Sequence, residues 1–505
     1  MSGDRLGNAS GQITGLLAGR TRPNVVLVLA DDLGFGDIGA FNPGSLIPTP
    51  NIDRLVAESV AFDDAHSSSA VCTPSRYSLL TGRYCWRSPL KSGVFYGYEP
   101  PLVEADRPTL PRMLQRLGYR TAAIGKWHLG LGYALRRGAN VDLARPFPWS
   151  DATRQLEEQI DFDRPVTGAP LELGFDEFFG TSGCPTCQPP YGFIEGDRFV
   201  DPPRVYDDAP PYTGRPGMSS PGWRHADADP EILARACSFV TSAALGDRPF
   251  FAYVALDSPH EPCTKEVVPE VARNKSQAGP RGDLVWFVDY AVGQLRAALE
   301  SAGVWRDTLF IFTSDNGALP GDRVIGADGV EVYRTYGHRS SGPWRGFKAH
   351  IWEGGHREPL VVSWPGRVAA GVRSDALVGL TDLYATIADL LHTNVSPEAE
   401  DSVSFRAGLA NGGSPRGRRS LVHHSERGVF ALRLEDMKLV LGTKGSGGWP
   451  PPTGGWPEAG SPGQLYDLAA DPGEEQDLFE RRPELVAALK AELETITGGA
   501  CASNA

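Results

Sequence analysis

A cysteine followed by a proline and an arginine is the most reactive grouping in the chain. Cys72, Pro74 and Arg76 lie in the segment Cys-Thr-Pro-Ser-Arg. The residues from Pro74 to Leu80 favour a helix that ends near Gly82, because proline is tolerated in a first turn and glycine is common after the last. Position 72 would then lie at the helix N-terminus, where free backbone N–H groups stabilise anions. A Cys72 thiolate is favoured there too, so a cysteine nucleophile is one interpretation.

Two pairs of neighbouring residues offer hard oxygen ligands. They are Asp31 with Asp32, and Asp315 with Asn316. Three carboxylates, an amide and water suit calcium, with magnesium as the alternative. Without a cation these carboxylates would repel one another strongly at low dielectric constant. The other interpretation is structural, as helix N-caps and Asx turns that follow strands.

Basic side chains that could balance the charge of a bound anion occur in three further segments. Lys126 and His128 stand two residues apart in Gly-Lys-Trp-His-Leu-Gly. They would face the same side of an extended segment. His260 stands in Ser-Pro-His-Glu-Pro, and Lys348 precedes a Trp-Glu-Gly-Gly-His-Arg-Glu-Pro segment. A lone histidine is more often structural than catalytic, but the position of Lys126 and His128 after a strand favours function.

Four short apolar runs are typical of buried parallel strands, and each ends in charged or amide residues. These predicted strands are 24–30, 121–125, 250–256 and 308–313. The predicted helices of this part of the chain are 49–59, 108–117, 283–301 and 381–391. Ligands of open α/β sheets bind outside the carboxyl ends of the strands. Residues distant in sequence are therefore expected to converge on one crevice.

The chain is predicted to be an α/β protein with two domains. A large domain at 23–395 would contain a mostly parallel sheet flanked by helices, and a smaller α+β domain at 396–498 would contain an antiparallel sheet. The smaller domain is predicted from strands at 421–424, 429–434 and 438–441 and a helix at 483–495. Residues 1–22 and 499–505 are expected to be tails. Long loops are predicted at 133–164, 184–230 and 445–463, with specificity residing in the first two.

The charge balance argues against several classes of partner. Lys and Arg number 49 against 62 Asp and Glu, which gives a net charge of -13. This argues against nucleic-acid and acidic-membrane binding, and means that a local cationic pocket must hold any anion. No uninterrupted apolar run reaches membrane-spanning length. No signal peptide is predicted, so a cytoplasmic location is expected on the sequence as given, with a periplasmic or secreted location left open.

The odd number of cysteines, 7, does not indicate a disulfide framework. Cys184 and Cys187 form a single CxxC motif. A redox pair and half of a zinc site are the more specific interpretations. The simpler interpretation is that they are two loop cysteines, with or without a disulfide between them. A zinc site needs about four ligands, and the sequence has no second CxxC.

The segment from Cys72 to Arg76, followed by Leu-Thr-Gly-Arg ending at Arg83, resembles the active-site pattern of the formylglycine-dependent sulfatases in the alkaline phosphatase superfamily. The segments around Lys126, His260 and Lys348 resemble further blocks of that family, as does a Leu-Tyr-Asp-Leu segment in the C-terminal region. The resemblance extends from about residue 23 to about residue 478. It is nearest to the branch of arylsulfatase A and N-acetylgalactosamine-6-sulfatase.

The resemblance implies an alkaline-phosphatase-like fold and a sulfuric ester hydrolase. It implies that a maturation enzyme oxidises Cys72 to formylglycine, an aldehyde whose hydrate is the nucleophile. The implied calcium ligands are Asp31, Asp32, Asp315 and Asn316, with residue 72 completing the shell. The implied catalytic and sulfate-binding residues are Arg76, Lys126, His128, His260 and Lys348. The substrate would be an aryl sulfate or a small-molecule or oligosaccharide sulfate ester, with a sulfated carbohydrate expected in nature.

Two other functions remain open on the sequence. A phosphonate or phosphate monoester hydrolase shares the superfamily and sometimes the cysteine motif. An unmodified, calcium-bound glycan-binding protein is the non-enzymatic alternative. Aromatic residues in the loops would fit a saccharide or simply pack the loops, and they are Trp86, Tyr96 to Tyr98, Trp149 and Tyr191.

Overall fold

The computed structural model describes most of the chain. The described residues are 22–143, 151–208, 214–325, 331–409, 417–442, 445–449 and 462–498. The predicted tails, apart from residue 22, and most of the predicted loop at 445–463 lie outside them. None of the described helices is long and apolar enough to cross a membrane.

A sheet of 11 strands forms the centre of the protein. Five neighbouring strands run parallel, in the order Thr308–Ser314 (β10), Asn24–Ala30 (β1), Phe250–Ala255 (β9), Arg120–Lys126 (β3) and Glu177–Thr181 (β4). Four of them, β1, β3, β9 and β10, confirm the predicted strands. Their apolar runs are buried from end to end, as expected for strands covered on both faces.

The sheet continues on both sides of this parallel centre. Beyond β10 lie an antiparallel strand, Arg357–Ser363 (β13), then Val60–His66 (β2), which pairs with Val372–Ser374 (β14) and Val378–Gly379 (β15). Beyond β4 lie two short antiparallel strands, Ile194–Glu195 (β5) and Arg198–Phe199 (β6).

Helices cover both faces of the central sheet. The α-helices of the described residues, including those that lie elsewhere, are Pro50–Ala57 (α1), Cys72–Thr81 (α2), Leu110–Arg116 (α3), Asp151–Glu157 (α4), Ala228–Ala244 (α5), Gly279–Ser301 (α6), Leu383–Leu390 (α7) and Pro483–Thr497 (α8). Apolar residues of α1, α5 and α6 pack with one set of strand side chains, including Val26 and Val28. Those of α2, α3 and α7 pack with the alternate set, including Val25 and Leu27. The period-two alternation of the strands thus separates two cores.

One predicted helix begins earlier than expected. α6 begins at Gly279 rather than Asp283. The Asp283 carboxylate instead accepts hydrogen bonds from the backbone N–H groups of Asn274 and Lys275, at 2.7 and 2.8 Å. Asp283 therefore stabilises the loop before the helix and is not its first residue.

A separate antiparallel sheet lies near the C-terminus. Its strands follow in chain order as Ser420–His424 (β16), Phe430–Leu434 (β17), Met437–Leu441 (β18) and Gly463–Asp467 (β19). α8 packs on this sheet through Leu489 and Leu493. This confirms the predicted fold class, while a domain boundary at 395/396 stays a prediction. Two hairpins complete the described strands, Val205–Asp207 (β7) with Gly217–Ser219 (β8), and Asp322–Ile325 (β11) with Glu331–Arg334 (β12).

Candidate active site

The predicted oxygen ligands come together at the carboxyl ends of two adjacent strands. Ala30 at the end of β1 pairs with Ser314 at the end of β10, so the residues that follow lie side by side. The four residues Asp31, Asp32, Asp315 and Asn316 are completely buried. The backbone N–H of Asp32 donates to Asp315 Oδ1 at 3.3 Å. The sheet register thus produces the convergence that the sequence predicts.

Three cationic side chains surround these carboxylates. Arg76, from α2, lies 2.8 Å through Nη2 from Asp31 Oδ2 and donates through Nε to Asp315 Oδ2 at 2.9 Å. Lys126, the last residue of β3, places Nζ 2.5 Å from Asp31 Oδ2. Lys348 Nζ lies 2.8 Å from Asp32 Oδ2. We call these four oxygen-bearing and three cationic residues the strand-end cluster.

Two buried oxygens of the strand-end cluster lack a donor. Asn316 donates through Nδ2 to Asp32 Oδ1 at 2.6 Å. Among the residues that the structure describes, Asp31 Oδ1 and Asn316 Oδ1 have no hydrogen-bond partner. Burial, together with nearby Asp31 and Asp315, raises the pKa of Asp32 to about 7 despite Lys348. Buried acceptors are normally satisfied, and oxygen donors of this kind fit a hard divalent cation.

Cys72 is the first residue of α2, as predicted, and the helix ends at Gly82 with a left-handed φ of 68°. The Cys72 side chain is buried. Burial raises the pKa of its thiol to about 12, although Lys126 and Lys348 act in the opposite direction. An unmodified Cys72 would therefore stay protonated near neutral pH, which disfavours the interpretation as a thiolate nucleophile.

His128 is oriented by a backbone carbonyl. Its Nε2 lies 2.7 Å from the carbonyl oxygen of Phe95, so Nε2 carries the proton and Nδ1 is an acceptor. His128 Nδ1 is buried and has no hydrogen-bond partner among the described residues. The backbone of His128 is left-handed, with a φ of 59°, so strand alternation does not extend from Lys126 to His128. Burial, aided by Lys126 and Arg76, lowers the pKa of His128 well below its usual range.

His260 lies after the end of β9. Its Nδ1 is 2.7 Å from the carbonyl oxygen of Glu261, and its Nε2 is 3.8 Å from Asp32 Oδ2. Burial, with Lys348 and Lys126, lowers the pKa of His260 well below its usual range. The imidazole is therefore neutral near pH 7, before any anion binds.

An open pocket connects three of the predicted site residues. Cys72, His260 and Lys348 line a space of about 720 Å³, including its mouth. The sequence analysis singled out Tyr96 in the remaining polar and aromatic lining. It did not single out the others, which are Gln188, Arg215, Glu261, Arg323, Glu426 and Trp449. Asp257 also escaped prediction as a site residue, although it follows a strand as Asp31 and Asp315 do.

The aromatic residues singled out from the sequence divide between the pocket and the core. Tyr96 lines the pocket. Trp86, Tyr98 and Tyr191 are almost completely buried, and Trp86 packs against Tyr84 and Phe430. These three therefore pack the protein, and Trp149 lies outside the described residues.

Comparison with known proteins decides the family. The sulfatase family model matches residues 23–393. The chain belongs to the sulfatase family. The sulfatase is 29% identical to an N-acetylgalactosamine-6-O-sulfatase of Bacteroides thetaiotaomicron, over 94% of this chain and 93% of that protein. It is 32% identical to arylsulfatase A of Homo sapiens, over 93% of this chain and 86% of that protein.

Solved structures agree with this assignment. A Bacteroides thetaiotaomicron protein from work on the metabolism of multiple glycosaminoglycans has a TM-score of 0.78 and 27% identity, with 94% of this chain and 99% of that chain covered. A phosphonate monoester hydrolase of Agrobacterium radiobacter shares only the fold, with a TM-score of 0.58 and 19% identity over 95% of this chain and 96% of that chain. The sulfatase is thus a sulfuric ester hydrolase with an alkaline-phosphatase-like fold.

Proposed function

We propose that this sulfatase removes sulfate from a sulfated carbohydrate, using formylglycine at position 72 and a calcium ion. The observation that carries the proposal is the pocket in which Cys72, His260 and Lys348 face one space. Beside it lie two buried oxygens that receive no hydrogen bond from the described part of the chain. The names of the relatives support a sugar sulfate, since one is an N-acetylgalactosamine-6-O-sulfatase. The mixture of charged and aromatic side chains in the pocket suits a polar saccharide.

Calcium fits the strand-end cluster. Asp31, Asp32, Asp315 and Asn316 would hold it, and residue 72 would complete the set. When bound, the ion would polarise sulfate oxygens and stabilise charge that develops on them. The unpartnered Asp31 Oδ1 and Asn316 Oδ1 support this assignment, because each is an oxygen ligand without a competing donor. Magnesium remains the alternative, since it uses the same ligand type.

The location of residue 72 supports its conversion to formylglycine. The N-terminus of α2 favours an oxyanion and a sulfate group nearby. A hydrated aldehyde there would supply one hydroxyl to take the sulfuryl group from the ester oxygen, and a second whose deprotonation expels sulfate. A formylglycine-generating maturation enzyme is a partner that this chemistry requires.

The side chains of the protein would then bind the sulfate and move its protons. Lys126 and Lys348 would neutralise sulfate oxygens, with the largest effect where water is excluded. Arg76 would hold the carboxylates of Asp31 and Asp315 in place and orient residue 72. His260 would protonate the departing alcohol oxygen once a bound anion favours its imidazolium form. His128 would take a proton from residue 72 through Nδ1, whose lone pair is free because Nε2 is held by Phe95.

A desulfation screen tests the proposed substrate class. Matured, metal-replete protein would be offered sulfated mono- and oligosaccharides, including 6-sulfated N-acetylgalactosamine, beside aryl sulfate, phosphate and phosphonate esters. We expect turnover of at least one sugar sulfate and of aryl sulfate, and much slower hydrolysis of phosphorus esters. Faster hydrolysis of a phosphate or phosphonate ester would contradict the proposal.

A further inference from the structure

The CxxC motif lies beside the acid-base histidine of the pocket. Cys184 Sγ is 3.1 Å from His260 Nδ1, and Cys187 Sγ is 3.8 Å from the same nitrogen. The two sulfurs and one nitrogen of His260 lie within 4.8 Å of one another. The fold therefore brings the two cysteines of the motif next to a histidine that lies 76 and 73 residues further along the chain.

Asp257 holds Cys184 from beside this group. Its Oδ1 accepts from Cys184 Sγ at 2.9 Å, and its Oδ2 accepts from the Thr186 hydroxyl at 2.7 Å. A carboxylate that orients a ligand side chain in this way is typical of the outer shell of a metal site. The CxxC motif therefore has a histidine as its companion ligand and a carboxylate beside it, although the sequence has no second CxxC.

We propose that Cys184, Cys187 and His260 bind a thiophilic divalent cation, with zinc as the natural occupant and a fourth coordination position left to water. Tetrahedral zinc with Zn–S near 2.3 Å and Zn–N near 2.0 Å places ligand atoms about 3.3–3.8 Å apart. The separations of 3.1 and 3.8 Å between His260 Nδ1 and the two sulfurs are close to these values without any ion. Two thiolates would neutralise Zn²⁺, so the site needs no further counter-charge. The adjacent Asp257 carboxylate lies 3.8 Å through Oδ1 from Lys126 Nζ, which can balance its charge.

The site is buried but has a route of entry. Cys184 and Asp257 are 0% and 3% exposed. Cys187 and His260 line the open pocket of about 720 Å³. An ion can therefore reach the thiols from the pocket, and burial strengthens its electrostatic interaction with them once it is bound.

Zinc at this site has a consequence for turnover, which rests on the proposed function. A metal at His260 Nδ1 displaces the hydrogen bond to the Glu261 carbonyl and leaves the one ring proton on Nε2. The ring can then no longer become an imidazolium, so it cannot deliver a proton readily to a departing oxygen. The zinc-loaded sulfatase is therefore inhibited, and more strongly on alkyl and sugar sulfates than on aryl sulfates with good leaving groups.

Metal content tests the site without any need for turnover. Full-length protein would be purified with a phosphine reductant, loaded with Zn²⁺ or Co²⁺, and desalted. We expect one zinc per chain beyond any calcium, and a cobalt spectrum with thiolate charge-transfer and tetrahedral bands. Cys184→Ser/Cys187→Ser should lose both signals, whereas Cys237→Ser, a half-buried cysteine on α5, should keep them.

The zinc site would be refuted if the wild-type protein took up no zinc, or if Cys184→Ser/Cys187→Ser kept its zinc. A native disulfide between Cys184 and Cys187 that excludes zinc would also refute it. A full-length Cys72→Ala protein is the control for metal binding by an unconverted Cys72 thiol, and it should retain the cobalt spectrum. If that spectrum depends on Cys72 instead, the assignment is wrong.

Inhibition gives a second readout that separates the site from the proposed function. For each variant, the rate with zinc is divided by its own rate without zinc, so a basal loss does not matter. We expect zinc to slow a sugar sulfate at least about 10-fold more than an aryl sulfate, as loss of general acid help would. The Cys187→Ser protein should show no such difference. Equal inhibition of both proteins would contradict the link to His260, while a failed desulfation screen would leave the metal result intact.

Discussion

The strand-end cluster and a second buried group of charges use the same side-chain types but pair them differently. The second group lies between the central sheet and the C-terminal sheet, and we call it the junction network. Its members are Asp64, Glu353, Glu474, Arg357, Arg433 and Lys438. Three carboxylates face three cations in each group, so net charge does not distinguish them.

In the junction network every carboxylate oxygen lies close to a cation or a backbone N–H, although Glu474 Oε1 contacts Lys438 as an ion pair and not as a hydrogen bond. The two oxygens of Glu353 lie 3.1 Å from Lys438 Nζ and 3.0 Å from Arg357 Nη1. Those of Asp64 lie 3.1 Å from Arg357 Nη2 and 3.3 Å from Arg433 Nη2. Glu474 contacts Lys438 at 2.8 Å and accepts from the Glu353 backbone N–H at 2.7 Å.

The strand-end cluster is incomplete in comparison, because Asp31 Oδ1 and Asn316 Oδ1 receive no hydrogen bond among the described residues. Complete pairing makes a network structural, since a further ligand would have to displace an existing contact. Unpaired acceptors beside a pocket indicate a group whose remaining interactions are supplied by a bound ligand. Charge density alone therefore does not identify the site. The distinguishing feature is a set of unpaired oxygen ligands beside the pocket that Cys72 and Lys348 line.

The largest effect is expected at the residue where the strand-end cluster meets the pocket. Cys72→Ala removes the proposed nucleophile and should reduce sulfate ester turnover by at least about 10⁴-fold. Cys237→Ala, on α5, is the matched control and should retain activity. Steady-state rates on aryl sulfate measure both, and substantial turnover by Cys72→Ala would show that the nucleophile lies elsewhere.

Metal content distinguishes the two buried groups directly. Asp315→Asn keeps the side-chain shape but removes a charged ligand, so calcium and activity should be lost together. The affinity for calcium should fall by more than the about 10–100-fold that is typical when an outer-shell residue is changed. Glu353→Gln makes the same chemical change in the junction network and should leave calcium bound. Elemental analysis of desalted proteins gives the answer, and calcium retained by Asp315→Asn would refute its assignment as a ligand.

His260→Ala sharpens the division of roles within the pocket. Loss of general acid help should slow alkyl or sugar sulfates by about 10²–10⁴-fold. Aryl sulfates with good leaving groups need little protonation and should lose much less. Rates of both substrate types on the same protein preparation are required. Equal losses on the two would remove the acid role from His260.

The smallest effect on turnover, and the clearest effect on stability, is expected in the junction network. Glu353→Gln removes one of the two carboxylates that contact each of Lys438 and Arg357, so three buried cations face only two carboxylates. This should cost about 3–5 kcal/mol in the free energy of unfolding. Glu435→Gln breaks an exposed pair with Arg419 at 3.1 Å and should cost less than about 1 kcal/mol. Urea denaturation compares them, and a Glu353→Gln protein as stable as Glu435→Gln would contradict the structural role.

The predictable part of the fold was the set of strands with continuous apolar runs. Both faces of β1, β3, β9 and β10 are covered, so their sequences are continuous apolar runs that can be recognised. The polar residues that follow these strands indicate where the site lies. β2 and β13 were missed for local reasons. β2 contains Asp63 and Asp64, which interrupt the apolar run, and β13 contains Pro359 at a bulge between Glu358 and Leu360.

The part of the site that could not be predicted lies in loops. Cys184 meets His260 only because the segment after β4 folds over the end of β9, and no periodicity encodes that approach. The pocket residues Arg215 and Trp449 likewise come from loops far apart in the chain. Asp257, in contrast, could have been predicted as a site residue. It is a carboxylate directly after a buried strand, which is the criterion that identified Asp31 and Asp315.

The central claim is that residue 72 is an aldehyde in the active protein. Trypsin should release residues 55–76 as one peptide, because Arg54 and Arg76 bound it, and Cys72 is its only cysteine. Mass spectrometry of this peptide from active protein should show sulfur exchanged for oxygen with loss of two hydrogens, and the peptide should react with a hydrazine. An unmodified, alkylatable thiol in all of the fully active protein would contradict the account.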